Sequence, residues 1–205
     1  MIFTVAIDGP AASGKGTIAK ALARELGFAH LDSGLLYRAV AAQSLEGEDP
    51  VKAAQRLDPR GLDGDARLRT PEVAREASRV AAIPAVREAL LDFQKAFARA
   101  EGGAVMDGRD IGTVICPEAE AKLFVTASAE ARAGRRHREL VASGQDVTLE
   151  GTLAEVRARD ARDAARSTSP LRVAEDAVVI DTSDLGIDEA VAVALAVVRE
   201  RLAGR

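Results

Sequence analysis

Short apolar runs alternate along the chain with stretches whose apolar residues recur every three or four positions. Phe3 to Ile7 is a run of the first kind, followed by a glycine-bearing segment, Gly9 to Gly14. Lys15 to Leu26 is of the second kind, with Ile18, Ala19, Leu22 and Leu26 on one face and Gly27 after it. That spacing predicts a helix stopped by a left-handed glycine. A brief strand is expected at Ala29 to Leu31, then a helix from Ser33 or Gly34 to about Leu45. Further buried strands are expected at Ala104 to Met106, Lys122 to Val125 and Ala177 to Ile180. Helical patterns cover Pro84 to Ala100, Ala129 to Ala142 and Asp188 to Leu202. Strands that are apolar on both faces need cover on both, which a parallel sheet between helices supplies. The expected fold class is α/β. Two stretches leave the alternation: Asp49 to Ile83, with helical turns around a polar centre at Asp58 to Asp65, and Gly144 to Pro170, a charged helix with flexible ends. Excursions of this kind commonly hold a substrate or close over it.

Composition narrows the classes. A chain of 205 residues that is 47% apolar and 29% charged can bury one sizeable core. A net charge of −4 argues against a general nucleic-acid binder. The longest apolar run, Ala190 to Val198, is half the roughly 18 residues that a membrane span requires. Asp8 and Lys15 interrupt any secretory signal. A single cysteine, Cys116, forms no internal disulfide and fits a reducing compartment, where it is expected to be buried and inert. The protein is expected in the cytoplasm, without membrane or nucleic-acid partners. His30 and His137 are too few and too far apart for a metal site, and no Cys/His cluster supports zinc.

The strongest chemical signal is Gly9-Pro10-Ala11-Ala12-Ser13-Gly14-Lys15-Gly16-Thr17, between an apolar strand and a helix. Binding a phosphate needs backbone N–H groups converging on an anion, and glycines let the chain wrap that closely. The helix N-terminus adds its positive end, and Lys15 a mobile cation for the β- and γ-phosphates. A glycine-rich turn with an incidental lysine is the plainer alternative, and the flanking strand and helix weigh against it. Gly16 stands where Ser or Thr usually ligates Mg²⁺. The ion is therefore expected on nucleotide phosphates and water, near Asp32 or Asp107, with no direct protein ligand.

Other segments gain weight beside this loop. Asp107-Gly108-Arg109-Asp110 closes a strand, where the ligand crevice of a parallel sheet lies. Asp107 would orient water on a metal and Arg109 bind a second anion; an ion pair between Arg109 and Asp110 is the plainer reading. Asp32-Ser33-Gly34 precedes Tyr37 and Arg38, and Ser33 reads as a helix N-cap compatible with a ligand role. Arg132, Arg135 and Arg136 share one helix face, as do Arg159, Arg162 and Arg166, with Asp163 four residues after Arg159. Either set alone is a solvated, salt-bridged face. Together they suit phosphoryl transfer, which asks mainly for positioning and charge neutralisation. A chain without asparagine cannot supply the Asn-Lys-x-Asp segment of a GTPase, and the glycine spacing is not that of a dinucleotide oxidoreductase. A small-molecule kinase fits; a nucleotide-binding regulator without turnover is the alternative from another class.

Over nearly its whole length the sequence resembles the bacterial cytidylate kinases. The resemblance rests on Ala6 to Pro10 through Lys15 to Thr17, on Leu31 to Gly34 with Tyr37 and Arg38, and on Arg69 to Val73. It continues through Val80 to Ala82, Pro84, Val86-Arg87, Asp107 to Val114, Thr126 to Glu130 with Arg132, Arg159 to Asp163 with Arg166, and Asp181 to Ser183. It implies a three-layer P-loop kinase fold on a five-stranded parallel sheet. The implied core is 1–48, 84–143 and 171–205, with an acceptor-binding insert at about 49–83 and a short lid at about 144–170. It implies transfer from ATP to CMP or dCMP with Mg²⁺, in a monomer. By carry-over, Gly9 to Thr17 hold ATP, with Lys15 on the transferred phosphate, and Arg132 closes over the donor as a lid arginine. Ser33, Arg38, Arg109, Arg159, Asp163 and Arg166 would contact CMP, Arg159 and Asp163 at the ribose and Arg166 at the phosphate. Lys15, Arg132 and Arg166 are the implied catalytic residues. Longer members carry a strand hairpin between the positions of Leu57 and Arg69, where this chain has a short Gly/Asp-rich piece. Another acceptor, such as AMP, UMP or shikimate, is the competing expectation.

Overall fold

The computed structural model describes residues 1–166 and 168–204; Ser167, inside the expected lid, and the terminal Arg205 lie outside the described residues. Five parallel strands form one sheet in the order β2-β3-β1-β4-β5. They are β1 (Thr4–Asp8), β2 (Ala29–Asp32), β3 (Ala104–Gly108), β4 (Ala121–Thr126) and β5 (Val178–Asp181). β1 and β3 are central and buried throughout, whereas β2 and β5 are edges with exposed positions. β1, β2 and β3 each run at least one residue past the expected end, because the residues there (Asp8, Asp32, Asp107 and Gly108) are not apolar but are still paired. The register sets Asp32 beside Asp107 and Asp8 beside Gly108, which gathers three carboxylates at the carboxyl edge of the sheet.

Helices α1 (Lys15–Leu26), α2 (Ser33–Leu45), α3 (Pro50–Arg56) and α4 (Pro71–Val80) precede α5 (Pro84–Ala98), α6 (Ala129–Ala142), α7 (Leu149–Ala164) and α8 (Ile187–Ala203). Side chains alternate across a strand, so β1 sends Val5 and Ile7 to one face and Ala6 to the other. Val5 and Ile7 meet Ile18 and Leu22 of α1 and Ala194 and Val198 of α8. Ala6 meets Met106, Ile115, Cys116 and Ala98. Both faces of the sheet are therefore covered, as the apolar strands require.

Residues 49–83 fold back rather than dangle. Asp49 and Thr70 cap α3 and α4 with their side chains, and Pro50 and Pro71 occupy the first helical turn, where a missing N–H costs nothing. Their apolar faces (Ala53, Ala54, Val73, Ala77, Val80) join Leu36 and Val40 of α2 and Val86 and Leu90 of α5 in a second core. The Gly/Asp-rich piece between them forms two single 3₁₀ turns, Leu62–Gly64 and Ala66–Arg69, fastened by buried Leu68. By contrast α7 buries only Thr152, Val156 and Asp163. A π-helical turn at Ile111–Ile115 is not expressed in the periodicity. Its first amides, of Ile111 and Gly112, each donate to the Asp8 carboxylate at 2.8 Å. No helix among the described residues is long and apolar enough to cross a membrane.

Candidate functional site

The loop between β1 and α1 is shaped by backbone constraints. Gly9 has φ of 155°, and a Cβ there would lie 2.0 Å from the Val125 carbonyl oxygen on β4, so no other residue fits. Ala12 holds a left-handed φ of 60°, a strain of about 1 kcal/mol that functional loops store. Gly14 opens α1 with no side-chain cap, which leaves the amides of Lys15, Gly16 and Thr17 without intrahelical acceptors. The Ser13 hydroxyl is buried with no hydrogen-bond partner among the described residues. Lys15 reaches no carboxylate among the described residues; its Nζ lies 3.5 Å from the Pro10 carbonyl. Burial, then the charge of Arg109, pushes its pKa down to about 8, against the pull of Asp107 and Asp32. Backbone donors at a helix N-terminus, beside a lysine among cations, form an anion cradle. An open cleft of about 1510 Å³ continues from the loop past Thr17, Arg135, Arg138 and residues 182–187.

A separate pocket is lined by side chains from distant segments. Its centre is Asp163, 2% exposed. Arg109 Nε donates to its Oδ2 at 3.0 Å, Arg166 Nη2 is 2.7 Å from Oδ1, and Arg159 Nε stands 4.0 Å from Oδ2. Burial alone would raise the Asp163 carboxyl, yet Arg109, Arg166 and Arg159 hold it below the usual range. One carboxylate cannot neutralise three guanidiniums. Burial and the charge of Arg109 push Arg159 down to about 9, and its Nε has no hydrogen-bond partner among the described residues. Arg38 adds a further cation, held by a 2.8 Å bond from its Nη1 to the Leu68 carbonyl in the insert. Unbalanced buried cations of this kind suit a ligand that brings its own negative charge. Away from the arginine cluster, Arg87 pairs with Asp110, stacks 5.6 Å from the Tyr37 ring centroid, and joins Ser78 beside Ala77 and Ala81.

Between the two sites stand Asp32 and Asp107. Asp32 Oδ1 accepts from the Gly34 amide at 2.9 Å, and Asp107 Oδ1 bonds His30 Nε2 at 2.9 Å. Burial, then the charge of Asp107, raises the Asp32 carboxyl above its usual range. Two close carboxylates with no strong cation bonded to either suit a hydrated divalent cation held mainly by other ligands. No group of three or more His, Cys, Asp or Glu residues able to enclose a metal occurs among the described residues.

A sequence profile of the family described as cytidylate kinase matches residues 5–200. The chain belongs to the cytidylate kinase family. It is 59% identical over 203 residues to the cytidylate kinase of Cereibacter sphaeroides (strain KD131), covering 99% of this chain and 98% of that one. It is 58% identical over 207 residues to that of Xanthobacter autotrophicus (strain Py2), covering 98% and 99%. Among solved structures, a gluconokinase from Sinorhizobium meliloti matches with a TM-score of 0.51 at 17% identity, over 98% of this chain and 95% of that one. That likeness speaks for the fold alone, a P-loop kinase fold.

In this member of the cytidylate kinase family, Ser33, Arg38, Arg109, Arg159, Asp163 and Arg166 all line one pocket. Several local expectations need correction. Asp32 caps α2; Ser33 is its first residue and donates from Oγ to the Asp107 carbonyl at 2.9 Å. Arg109 and Asp110 do not pair with each other, because adjacent side chains diverge there: Arg109 turns to Asp163 and Asp110 to Arg87. Arg166 follows the end of α7, and Arg162 is exposed, so the expected arginine face is split. Arg132 belongs to α6, not to the 144–170 stretch, and is tied to Asp160 of α7. Arg135, read as part of a solvated face, instead braces the loop through the Ser13 carbonyl at 3.3 Å and Thr182 Oγ1 at 2.9 Å. Tyr37, Ser78, Arg87 and Asp110 were absent from the expected contact set. The resemblance already pointed to Tyr37, Arg87 and Asp110; Ser78 carried no local signal.

Proposed function

We propose that this chain transfers the terminal phosphoryl group of ATP to CMP or dCMP, giving ADP and CDP or dCDP. The observation that carries the reading is the shared boundary of the two sites: the Asp107 carboxylate lies beside Gly16 of the loop, while its carbonyl accepts from Ser33 of the pocket wall at 2.9 Å. A triphosphate in the loop and a monophosphate among the arginines would meet there. The bond from the γ-phosphorus to the β-bridging oxygen breaks, and one forms to an oxygen of the acceptor phosphate. That oxygen is already ionised, so no general base is required. The protein's part is to align the two and neutralise their charge.

Gly9, Pro10, Ala11, Ala12, Ser13, Gly14, Lys15, Gly16 and Thr17 are assigned to ATP, with Lys15 on the moving phosphoryl group and Arg132 beside the loop. Arg38, Arg109 and Arg166 are assigned to the acceptor phosphate, Arg159 and Asp163 to the sugar, and Ser33 to the pocket wall. The pocket end formed by Ser78, Arg87 and Asp110 suits the edge of cytosine, whose amino group donates and whose N3 and O2 accept. A guanidinium offers the donors and a carboxylate the acceptor. Mg²⁺ on the donor phosphates, near Asp32 and Asp107, supplies charge neutralisation when bound. Residues 49–83 contribute Ser78 and the Leu68 carbonyl, and 144–170 contribute Arg159 and Asp163, in keeping with an insert and a lid that serve the acceptor. The enzyme is read as a cytoplasmic monomer.

ADP release with ATP, Mg²⁺ and a panel of acceptors tests this directly. Turnover is expected with CMP and dCMP. Release with AMP or shikimate but not with CMP would reject the acceptor, and ATP binding without turnover on any acceptor would favour a regulator.

A further inference from the structure

Asp160 has no role in either site as assigned above, yet it joins them. Consecutive positions on a helix point about 100° apart. On α7, Arg159 and Asp163 therefore face the acceptor pocket while Asp160 faces α6. There it meets Arg132, whose side chain is 6% exposed. Arg132 Nε donates to the Ala127 carbonyl at 2.9 Å, and Nη1 reaches the Ala11 carbonyl of the loop at 3.4 Å. Both oxygens of Asp160 accept from its fork, at 2.9 and 2.6 Å. Asp160 is the one carboxylate bonded to Arg132 among the described residues. Such bidentate pairs fix orientation as well as distance.

α7 packs along α6, and its Asp163 is pinned to Arg109 at the end of β3. Its buried side chains are Thr152, Val156 and Asp163, and its pairs Arg157–Glu130 and Arg75–Glu155 are exposed on both sides. Exposed pairs of that kind fix geometry weakly. The fork on Arg132 is the link that joins α7 to the side chain reaching the loop carbonyl of Ala11.

We propose that Asp160 is a positioning residue that couples the two nucleotide sites, by fixing α7, and with it Arg159 and Asp163, to the arginine that rests on the donor loop. The proposal rests on the reading of the loop as the ATP site and the pocket as the CMP site. Whatever shifts Arg132 when a triphosphate enters shifts the acceptor groups, and the reverse holds by linkage.

Titration calorimetry on the full chain tests it, measuring CMP affinity with and without the magnesium complex of β,γ-imido-ATP. In the wild type the analogue should tighten CMP about fivefold or more. Asp160→Asn keeps the shape and one acceptor but loses the charge; there the analogue should change CMP affinity less than about twofold. CMP affinity measured alone should stay within about threefold, an effect under the size of one lost hydrogen bond to a charged group. Arg132→Lys, which removes the fork from the other side, should lose the coupling too and decides the matter if Asp160→Asn does not fold. Unchanged coupling in either folded variant overturns the proposal. Absence of coupling in a wild type that binds both nucleotides overturns it and leaves the functional reading standing. Failure of the wild type to bind CMP overturns both.

Discussion

Residues 9–17 offer an anion their backbone amides and one ammonium group, whereas the pocket around Asp163 offers guanidiniums from α2, α5, α7 and the end of β3. The first arrangement is continuous in sequence and restricted by sterics: it needs no Cβ at Gly9 and bears a left-handed Ala12. The second is discontinuous and restricted by charge: its cations repel one another and are held together by Asp163. A backbone cradle recognises any phosphate chain. A side-chain pocket can be shaped to one nucleotide, and each of its residues is individually exposed to mutation. Generality and specificity are thus divided between the two halves of the site.

Substitutions can break this division or sharpen it. Lys15→Ala should cost the most, about 10²–10³-fold in kcat, with the melting temperature unchanged, because its charge serves phosphates and not the core. Steady-state assays beside a thermal melt check this, and a variant that keeps most of its turnover would break the donor half. Asp163→Asn should raise KM for CMP about 10–100-fold and leave KM for ATP within about threefold, since it weakens charge-assisted bonds only in the acceptor pocket. Equal losses for both nucleotides would erase the contrast. Ser78→Ala should narrow the preference for CMP over UMP about fivefold, the size of one neutral hydrogen bond, read from the ratio of kcat/KM values.

The smallest effect is a proton. Lys15, pushed down to about 8, sheds its proton as pH rises through that value, and a bound triphosphate draws it back. ATP affinity should therefore fall above about pH 8, and ATP binding at about pH 8.5 should take up a fraction of a proton that vanishes near pH 6.5. CMP should show less uptake at that pH, because Arg159, pushed down by burial to about 9, stays mostly charged there. Calorimetry in buffers of different ionisation enthalpy separates the two.

The same contrast decides what could be read from the sequence. Loop, strand and helix at the donor site are local, so glycine positions and apolar periodicity expose them from Phe3 to Leu26. The acceptor pocket depends on tertiary proximity. That Asp110 meets Arg87 on α5 while Arg109 meets Asp163 on α7 follows from where β3 ends against those helices. Spacing alone left the adjacent pair and the ligand role evenly balanced. The π-helical turn is likewise dictated from afar, by Asp8 of β1, whose carboxyl is raised to about 7, first by burial. Family resemblance supplied the arginines and Asp163 but not Ser78, and it left the trimmed insert undefined. The insert's two 3₁₀ turns owe their form to the Asp65 cap and to buried Leu68.

The most direct test of the division between backbone cradle and arginine pocket is a crystal structure of the protein with CMP and a non-hydrolysable ATP analogue. The account predicts the triphosphate wrapped by residues 9–17, the CMP phosphate among Arg38, Arg109 and Arg166, and the base against Ser78, Arg87 and Asp110. A triphosphate seated among the arginines, or CMP bound elsewhere with that pocket empty, would contradict it.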